Sequence, residues 1–259
     1  MNIYERIQTY HRLLRYRYQE ERAELRFLRS RKYQGGSALD VGAHRGEHSY
    51  WMHRQFGGDT RIVTFEPQPE LAMFLTDFKK SFRHDRMTIV PFGLSSRGGK
   101  LRMHRPRSKW SAATVDEFCN DDSQTDVFDV PVTTIDEYLA EHPKLRPVRF
   151  IKCDAESHET EVLTGAERIL REDRPELLVD WSTPRRASRE RLFGFVQQLG
   201  YSIFQFESGK LTPCTTAERS SPPSWELGGN YLLLPSGRPT GDVARVEATT
   251  KNNGSLART

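Results

Sequence analysis

The sequence predicts an α/β fold with a doubly wound, mostly parallel sheet, and three observations carry that prediction. A short apolar run, Ala38 to Val41, ends in two glycines, Gly42 and Gly46, with a helix-compatible segment behind them. A second apolar run, Arg61 to Phe65, stops at Glu66-Pro67. Strand and helix patterns then alternate through Phe92, which demands a parallel sheet with right-handed crossovers.

The glycine turn comes first because the chemistry gathers there. Gly42 and Gly46 let the backbone turn sharply and approach a ligand without a Cβ clash. In open α/β sheets a nucleotide-like cofactor sits at such a turn, against the carboxyl end of the strand. A plain strand-to-helix turn has the same local pattern, and the second strand separates the two. Glu66 lies roughly 20 residues past the turn, where an acidic residue accepts hydrogen bonds from a ribose diol. Pro67 blocks continuation of that strand. The pattern is neither GxGxxG nor a GK[ST] phosphate loop. Asp40 stands directly before the turn, where it repels a pyrophosphate and suits a cation such as the methionine ammonium of S-adenosylmethionine. Charge therefore favours that cofactor over a dinucleotide.

Length bounds the rest: 259 residues make one large domain, or one with appendages. A net charge of +4 does not by itself imply a nucleic-acid partner. Cys119, Cys153 and Cys214 have no CxxC or CxxH spacing, which argues against a zinc site or disulfide framework and fits a reducing compartment. No segment approaches the ~18 consecutive apolar residues of a membrane span, and the N-terminus lacks an apolar signal core. The expected setting is cytoplasmic.

In chain order, residues 1–34 read as a basic N-terminal helix. Residues 1–32 hold nine Arg or Lys against four Glu, and Ile3, Ile7, Leu14, Leu25 and Leu28 recur at approximately helical spacing. Such a helix either covers the domain edge with its arginines solvated or docks on an anionic partner or membrane surface. Gly35-Gly36 opens a domain running over 35–235. Helices are expected over 47–56 and 70–82, and a third strand over 87–92. The polar stretch 97–129 is more hairpin or loop than helix and is a candidate substrate lid carrying Trp110. Residues 130–139 read as a strand leading into a capped helix. Strands over 149–154, 176–181, 201–206 and 230–234 complete a seven-stranded sheet, with helices over 160–170 and 187–199. A second candidate substrate loop spans 207–229. From Ser236 no apolar period survives, and 236–259 is expected to be disordered.

The second chemical centre follows the strand ending near Cys153. Asp154, Glu156 and Glu159 cluster within six positions, at a strand end that faces the same crevice as the glycine turn. Carboxylates brought together need a cation: a sulfonium, a divalent metal, Lys152 or His158. Glu159 also suits a helix N-terminus, where acids are favoured anyway.

These segments resemble the FkbM-type S-adenosylmethionine-dependent methyltransferases. The matching pieces are LDVGAHRGEHS (39–49), VTFEPQP (63–69), VPFGLSS (90–96), VTTIDEYL (132–139), FIKCDAESHETEVLTGAERIL (150–170) and RPELLVDW (174–181). The resemblance implies a class I Rossmann-like methyltransferase fold and methyl transfer, usually to a hydroxyl of a sugar or natural product. It assigns Asp40, Gly42, Ala43, His44, Gly46, Ser49, Glu66, Pro67, Leu94, Ser95 and Asp154 to the cofactor. Asp154, Glu156, His158 and Glu159 become the catalytic candidates, with Trp110 and Trp181 near the acceptor. The sequence departs from the family's usual residues at His44, Ser157 and Asp180-Trp181. An alcohol needs a positioned base or an acidifying metal to lose its proton. Asp154 and Glu156 serve either role, and all-oxygen ligation there suits Mg²⁺. His44 and His48 flank the turn within possible reach of the acceptor. Two other readings stand beside this one. One is a nucleic-acid methyltransferase gripping phosphate with the N-terminal helix and Arg102, Arg105 and Arg107. The other is a cofactor-binding scaffold without catalysis.

Overall fold

The structure is a computed structural model that describes residues 1–108, 112–115, 124–181, 186–207, 210–214 and 229–237. Its main sheet contains β1 (Ser37–Val41), β2 (Arg61–Phe65), β3 (Met87–Val90), β7 (Val148–Cys153), β8 (Glu176–Trp181), β9 (Tyr201–Glu207), β10 (Lys210–Pro213) and β11 (Gly229–Pro235). Their spatial order is β10-β9-β11-β8-β7-β1-β2-β3. The five strands from β3 to β8 run parallel, whereas β11 is antiparallel to both neighbours. The sheet has eight strands rather than the expected seven. The eighth, β10, lies in the stretch read as loop and closes an antiparallel hairpin on β9. As an edge strand it accommodates Pro213 without losing a ladder bond.

A second, three-stranded sheet joins β4 (Gly93–Leu94), β5 (Gly99–Pro106) and β6 (Thr125–Thr133) in the order β4-β6-β5. The stretch expected as hairpin or loop is thus a two-stranded antiparallel arm from Gly99↔Val132 to Pro106↔Thr125. β3 stops at Val90 because Pro91 offers no N–H, and Gly93-Leu94 joins the second sheet.

Helices cover both faces of the main sheet. On one, Leu39, Val41, Val63, Phe65, Ile151, Leu177 and Val179 pack with residues of α5 (Ile135–Glu141), α6 (Glu159–Thr164), α7 (Glu167–Glu172) and α8 (Arg186–Gln198). On the other, Ala38, Ile62, Phe150 and Leu178 pack with α2 (Arg22–Ser30), α3 (Glu47–Gln55) and α4 (Pro69–Phe82). Successive strand residues point to opposite faces, so Asp40, Lys152, Asp154 and Asp180 lie on this second face.

The N-terminal segment is two helices rather than one. α1 (Ile3–Arg15) opens with a capping box, in which Asn2 accepts from the Glu5 N–H and Glu5 accepts from the Asn2 N–H. A π-helical turn over Tyr16–Glu20 then redirects the chain into α2, whose Leu25, Phe27 and Leu28 are fully buried. Arg31 closes the segment with a 2.8 Å ion pair to the buried Glu176.

The helix expected over 160–170 is also split, into α6 and α7. Gly165 passes so close to Ser95 that a Cβ there would lie 2.1 Å from the Ser95 carbonyl oxygen. Beyond it, the Asp136 carboxylate accepts the N–H groups of Arg168 and Ile169 and starts a new helix. Among the described residues, no helix is long and apolar enough to cross a membrane.

Candidate active site

The carboxyl ends of β1, β2, β7 and β8 open into one cavity of about 360 Å³. At the end of β1 the chain turns at Gly42, whose φ is +72°; a Cβ there would fall 1.8 Å from the Asp154 carbonyl oxygen. Only glycine permits β1 and β7 to close this tightly at the turn. Gly46, with φ +82°, begins α3 and rests on Leu75.

Glu66 ends β2 and is 2% exposed. Its carboxylate accepts the His44 N–H at 2.8 Å and the Gln68 N–H at 2.9 Å. Burial, with Asp40 nearby, pushes its pKa up to about 7 despite those bonds. Asp40 is also raised by burial; Ser49 donates to it at 2.5 Å and contacts Thr64 at 2.9 Å. Ser49 therefore braces Asp40 from behind. Gly42, Ala43, His44, Pro67 and Leu94 line the cavity, and Ser95 does not. The Ser95 hydroxyl lies 2.9 Å from His158 Nε2.

Strand register builds the second half. Asp40 on β1 is paired with Lys152 on β7. Cys153 is paired with Val179 on β8, so Asp154 and Asp180 follow side by side. The Lys152 ammonium lies 3.4 Å from Asp154 Oδ2 and makes no hydrogen bond among the described residues. Burial works to lower its pKa, but Asp154, Glu21, Asp180 and Asp40 together raise it, so it remains charged. Asp180 is pushed up to about 6 by burial and by Asp154.

Two wall residues come from the N-terminal segment, Tyr16 and Glu21. Glu21 pairs with His48 at 2.8 Å. Burial would raise the Glu21 pKa, but the charge and hydrogen bond of His48 hold it down at about 2. His44 is lowered to about 4 by burial and by Arg45 and Arg12, which leaves it neutral. Apolar side chains of the β5–β6 arm, Leu101, Met103, Val130 and Val132, close the opposite wall. The Thr114 hydroxyl ties that insertion to the Glu156 carbonyl at 2.8 Å.

The loop after β7 holds both expected and unexpected features. Asp154, Glu156 and His158 line the cavity, whereas Glu159 is buried beneath the loop. The Glu159 carboxyl accepts the N–H groups of Ala155 and Ser157, and its pKa is raised by burial to about 8. Glu159 is thus a brace for the loop. The cation among these acids is Lys152. Its ammonium beside Asp154 makes the Asp154–Glu156 pair a poor Mg²⁺ donor set, and among the described residues no cluster of three or more His, Cys, Asp or Glu could hold a metal. Trp181 also departs from expectation. It is 1% exposed, with its ring edge-on to Phe193 in the core, so it is not available to an acceptor. Trp110 lies outside the described residues, as do 215–228 and 238–259 of the expected substrate loop and tail. Arg102, Arg105 and Arg107 are paired with Asp129, Glu70 and Asp126.

A family model for the methyltransferase FkbM domain matches residues 40–203, more than half of the chain. The chain belongs to the FkbM methyltransferase family. Among solved structures, this FkbM-family chain is similar to a methyltransferase FkbM from Methylobacillus flagellatus KT, with 16% identity and a TM-score of 0.51. The match covers 78% of this chain and 44% of that one, so the chain spans less than half the length of that relative. An O-methyltransferase from Bacillus cereus in complex with SAH is 12% identical, with a TM-score of 0.48 and 87% and 89% of the two chains covered. An SAM-dependent O-methyltransferase from Thermotoga maritima is 10% identical, with a TM-score of 0.44 and 85% and 66% covered. No curated relative matches the chain. Two wall residues, Tyr16 and Glu21, carry no signal in the sequence, while His48, Lys152 and Asp180 are named there without the shared wall that the structure gives them. Strand alternation is the signal that finds Lys152 and Asp180, since both share a face with Asp40.

Proposed function

We propose that this chain is an S-adenosylmethionine-dependent methyltransferase that methylates a hydroxyl oxygen of a sugar, glycan or natural product in the cytoplasm. Glu66 carries the reading. Its carboxylate holds the backbone N–H groups of His44 and Gln68 and a bond from the Gln68 side chain, and a carboxylate with about four lone-pair sites keeps capacity for a further donor. A ribose diol uses that capacity in the cavity that also holds the glycine turn. Asp40, Asp154 and Asp180 outnumber Lys152 on one face, and Glu21 and His48 pair with each other, so the wall suits a cationic ligand. Bound there, the cofactor supplies a methyl group on a sulfonium, which leaves as a neutral thioether.

The chain's own groups then align and deprotonate the acceptor. Asp180, with its pKa near about 6, is unprotonated at neutral pH and receives the hydroxyl proton as the O–H bond breaks. Lys152 stays charged and holds Asp154 in place. Glu156 meets the acceptor from the β7 loop, while Glu159 and His158 act as positioning residues that keep that loop in shape. The apolar arm excludes water from the other side.

The test is calorimetric titration of S-adenosylhomocysteine into the wild type and Glu66→Ala. Micromolar binding by the wild type and a loss of tenfold or more in the variant is the expected result. Absent wild-type binding, or binding indifferent to Glu66, sinks the assignment. Label transferred from methyl-tritiated cofactor should appear in hydroxyl-bearing glycans as a base-stable ether. Label found only in RNA would overturn the acceptor class.

A further inference from the structure

Two surface features outside the cavity meet at Arg6. The first is the outward face of α1. At 3.6 residues per turn, Ile3, Ile7, Tyr10 and Leu14 form one stripe. Ile3, Ile7 and Tyr10 are 77%, 62% and 46% exposed, and Tyr4 beside them is 66% exposed. The buried residues of α1, Thr9 and Leu13, lie on a different face. Exposed Arg6 borders the stripe on one side, and on the other Arg15 is paired with Glu20 at 2.8 Å. Glu5, the one acid of α1, lies away from the stripe and holds its own helix start by accepting the Asn2 N–H at 2.8 Å. The second feature is an open concavity lined by Met1, Arg6, Lys80, Ser81, Phe82 and Arg83, without an acid. The Arg6 guanidinium stands 6.0 Å from the centre of the Phe82 ring.

We infer that α1 and this basic concavity form a docking face for an anionic phospholipid surface. The apolar stripe enters the boundary between headgroups and acyl chains, and Arg6, Lys80 and Arg83 meet lipid phosphates. Charge selects this occupant. Arg6, Lys80 and Arg83, with no acid among the residues lining their concavity, would set like charges together against a second copy of this face, whereas a sheet of phosphates answers all of them. Tyr4 and Tyr10 suit the same depth, with an apolar ring and a polar tip. The helix lies on the surface rather than crossing it, in keeping with its 13 residues. None of the stripe residues lines the cavity, so this inference stands apart from the methyl-transfer reading.

Co-sedimentation of the full chain with vesicles tests it. Vesicles of phosphatidylcholine mixed with phosphatidylglycerol should bind the protein, pure phosphatidylcholine should not, and added salt should weaken binding. Arg6→Gln and Lys80→Gln should each weaken binding about fivefold. Ile3→Ser/Ile7→Ser should weaken it further, and all variants should keep the wild-type melting curve because these side chains are exposed. Equal binding to neutral vesicles, or no vesicle binding, overturns the inference. So does binding displaced by inorganic phosphate and indifferent to the isoleucines, which marks a free-anion site. A dimer in size-exclusion chromatography that the isoleucine substitutions abolish, without vesicle binding, assigns the stripe to a second copy and equally overturns it.

Discussion

Ser157 holds a backbone conformation meant for glycine. Its φ is +81°, directly after Glu156 at +46°, and the left-handed region costs a side-chain-bearing residue roughly 1–2 kcal/mol. Glycine gains that strain back and loses about 0.4–1 kcal/mol through its freer unfolded chain. Ser157→Gly should therefore stabilise the fold by roughly 0.5–1 kcal/mol, read from the denaturant midpoint at constant slope. A lower midpoint would mean that the Ser157 side chain contributes more than its strain removes. Its neighbour Glu159 sets a pH dependence. The native carboxyl holds its proton to about 8, against an ordinary value of 4.5, because burial disfavours its charge. Between those values the native state binds more protons than the unfolded one, so stability falls as pH rises through that window. Glu159→Gln keeps an oxygen for the Ala155 and Ser157 N–H groups and has no proton to lose. Its stability should fall less between pH 5 and pH 8 in chemical denaturation; Glu66, raised in the same direction, keeps the slope from vanishing. An unchanged slope would remove Glu159 as a source of it.

At the scale of elements, periodicity reads what local chemistry dictates and misses what distant parts impose. β1, β2 and the turn between β1 and α3 were legible because apolar runs, glycines and Pro67 act on their own neighbours. The split between α6 and α7 was not, since Asp136 and Ser95 impose it from other elements. The π-turn that divides the N-terminal helix has no Gly or Pro to announce it, and it delivers Tyr16 and Glu21 to the cavity wall. Glu159 looked catalytic for a similar reason: a pattern shows that a carboxylate is present but not which way the loop turns it. The N-terminal helices also make a prediction. Leu25, Phe27 and Leu28 are each worth about 1.5–3 kcal/mol when buried, and removing Arg31 strips a buried carboxylate of its cation, a loss of about 3–5 kcal/mol for such pairs. A chain starting at residue 33 should be unfolded or aggregated, as judged by near-ultraviolet dichroism and dye binding. A monomer with the native spectrum would show that the segment is an appendage.

On the scale of the whole molecule, the cavity draws on residues from Tyr16 to Asp180. Its floor comes from four strand ends, one wall from the N-terminal segment, and another from the β5–β6 arm. The family match begins at residue 40, after Tyr16 and Glu21, so part of the wall is contributed from outside the region the family has in common. The same integration constrains how the chain is made. Glu24 on α2 takes a hydrogen bond from Asn230, 206 residues later, and Arg31 waits 145 residues for Glu176. The first two helices pack in part on α3, where Glu21 pairs with His48 and Arg12 with Glu47, but their ties to Glu176 and Asn230 close only once β8 and β11 are in place. Contacts so distant in sequence slow folding, and until they close Leu25, Phe27 and Leu28 keep part of their apolar surface open to chaperones and proteases.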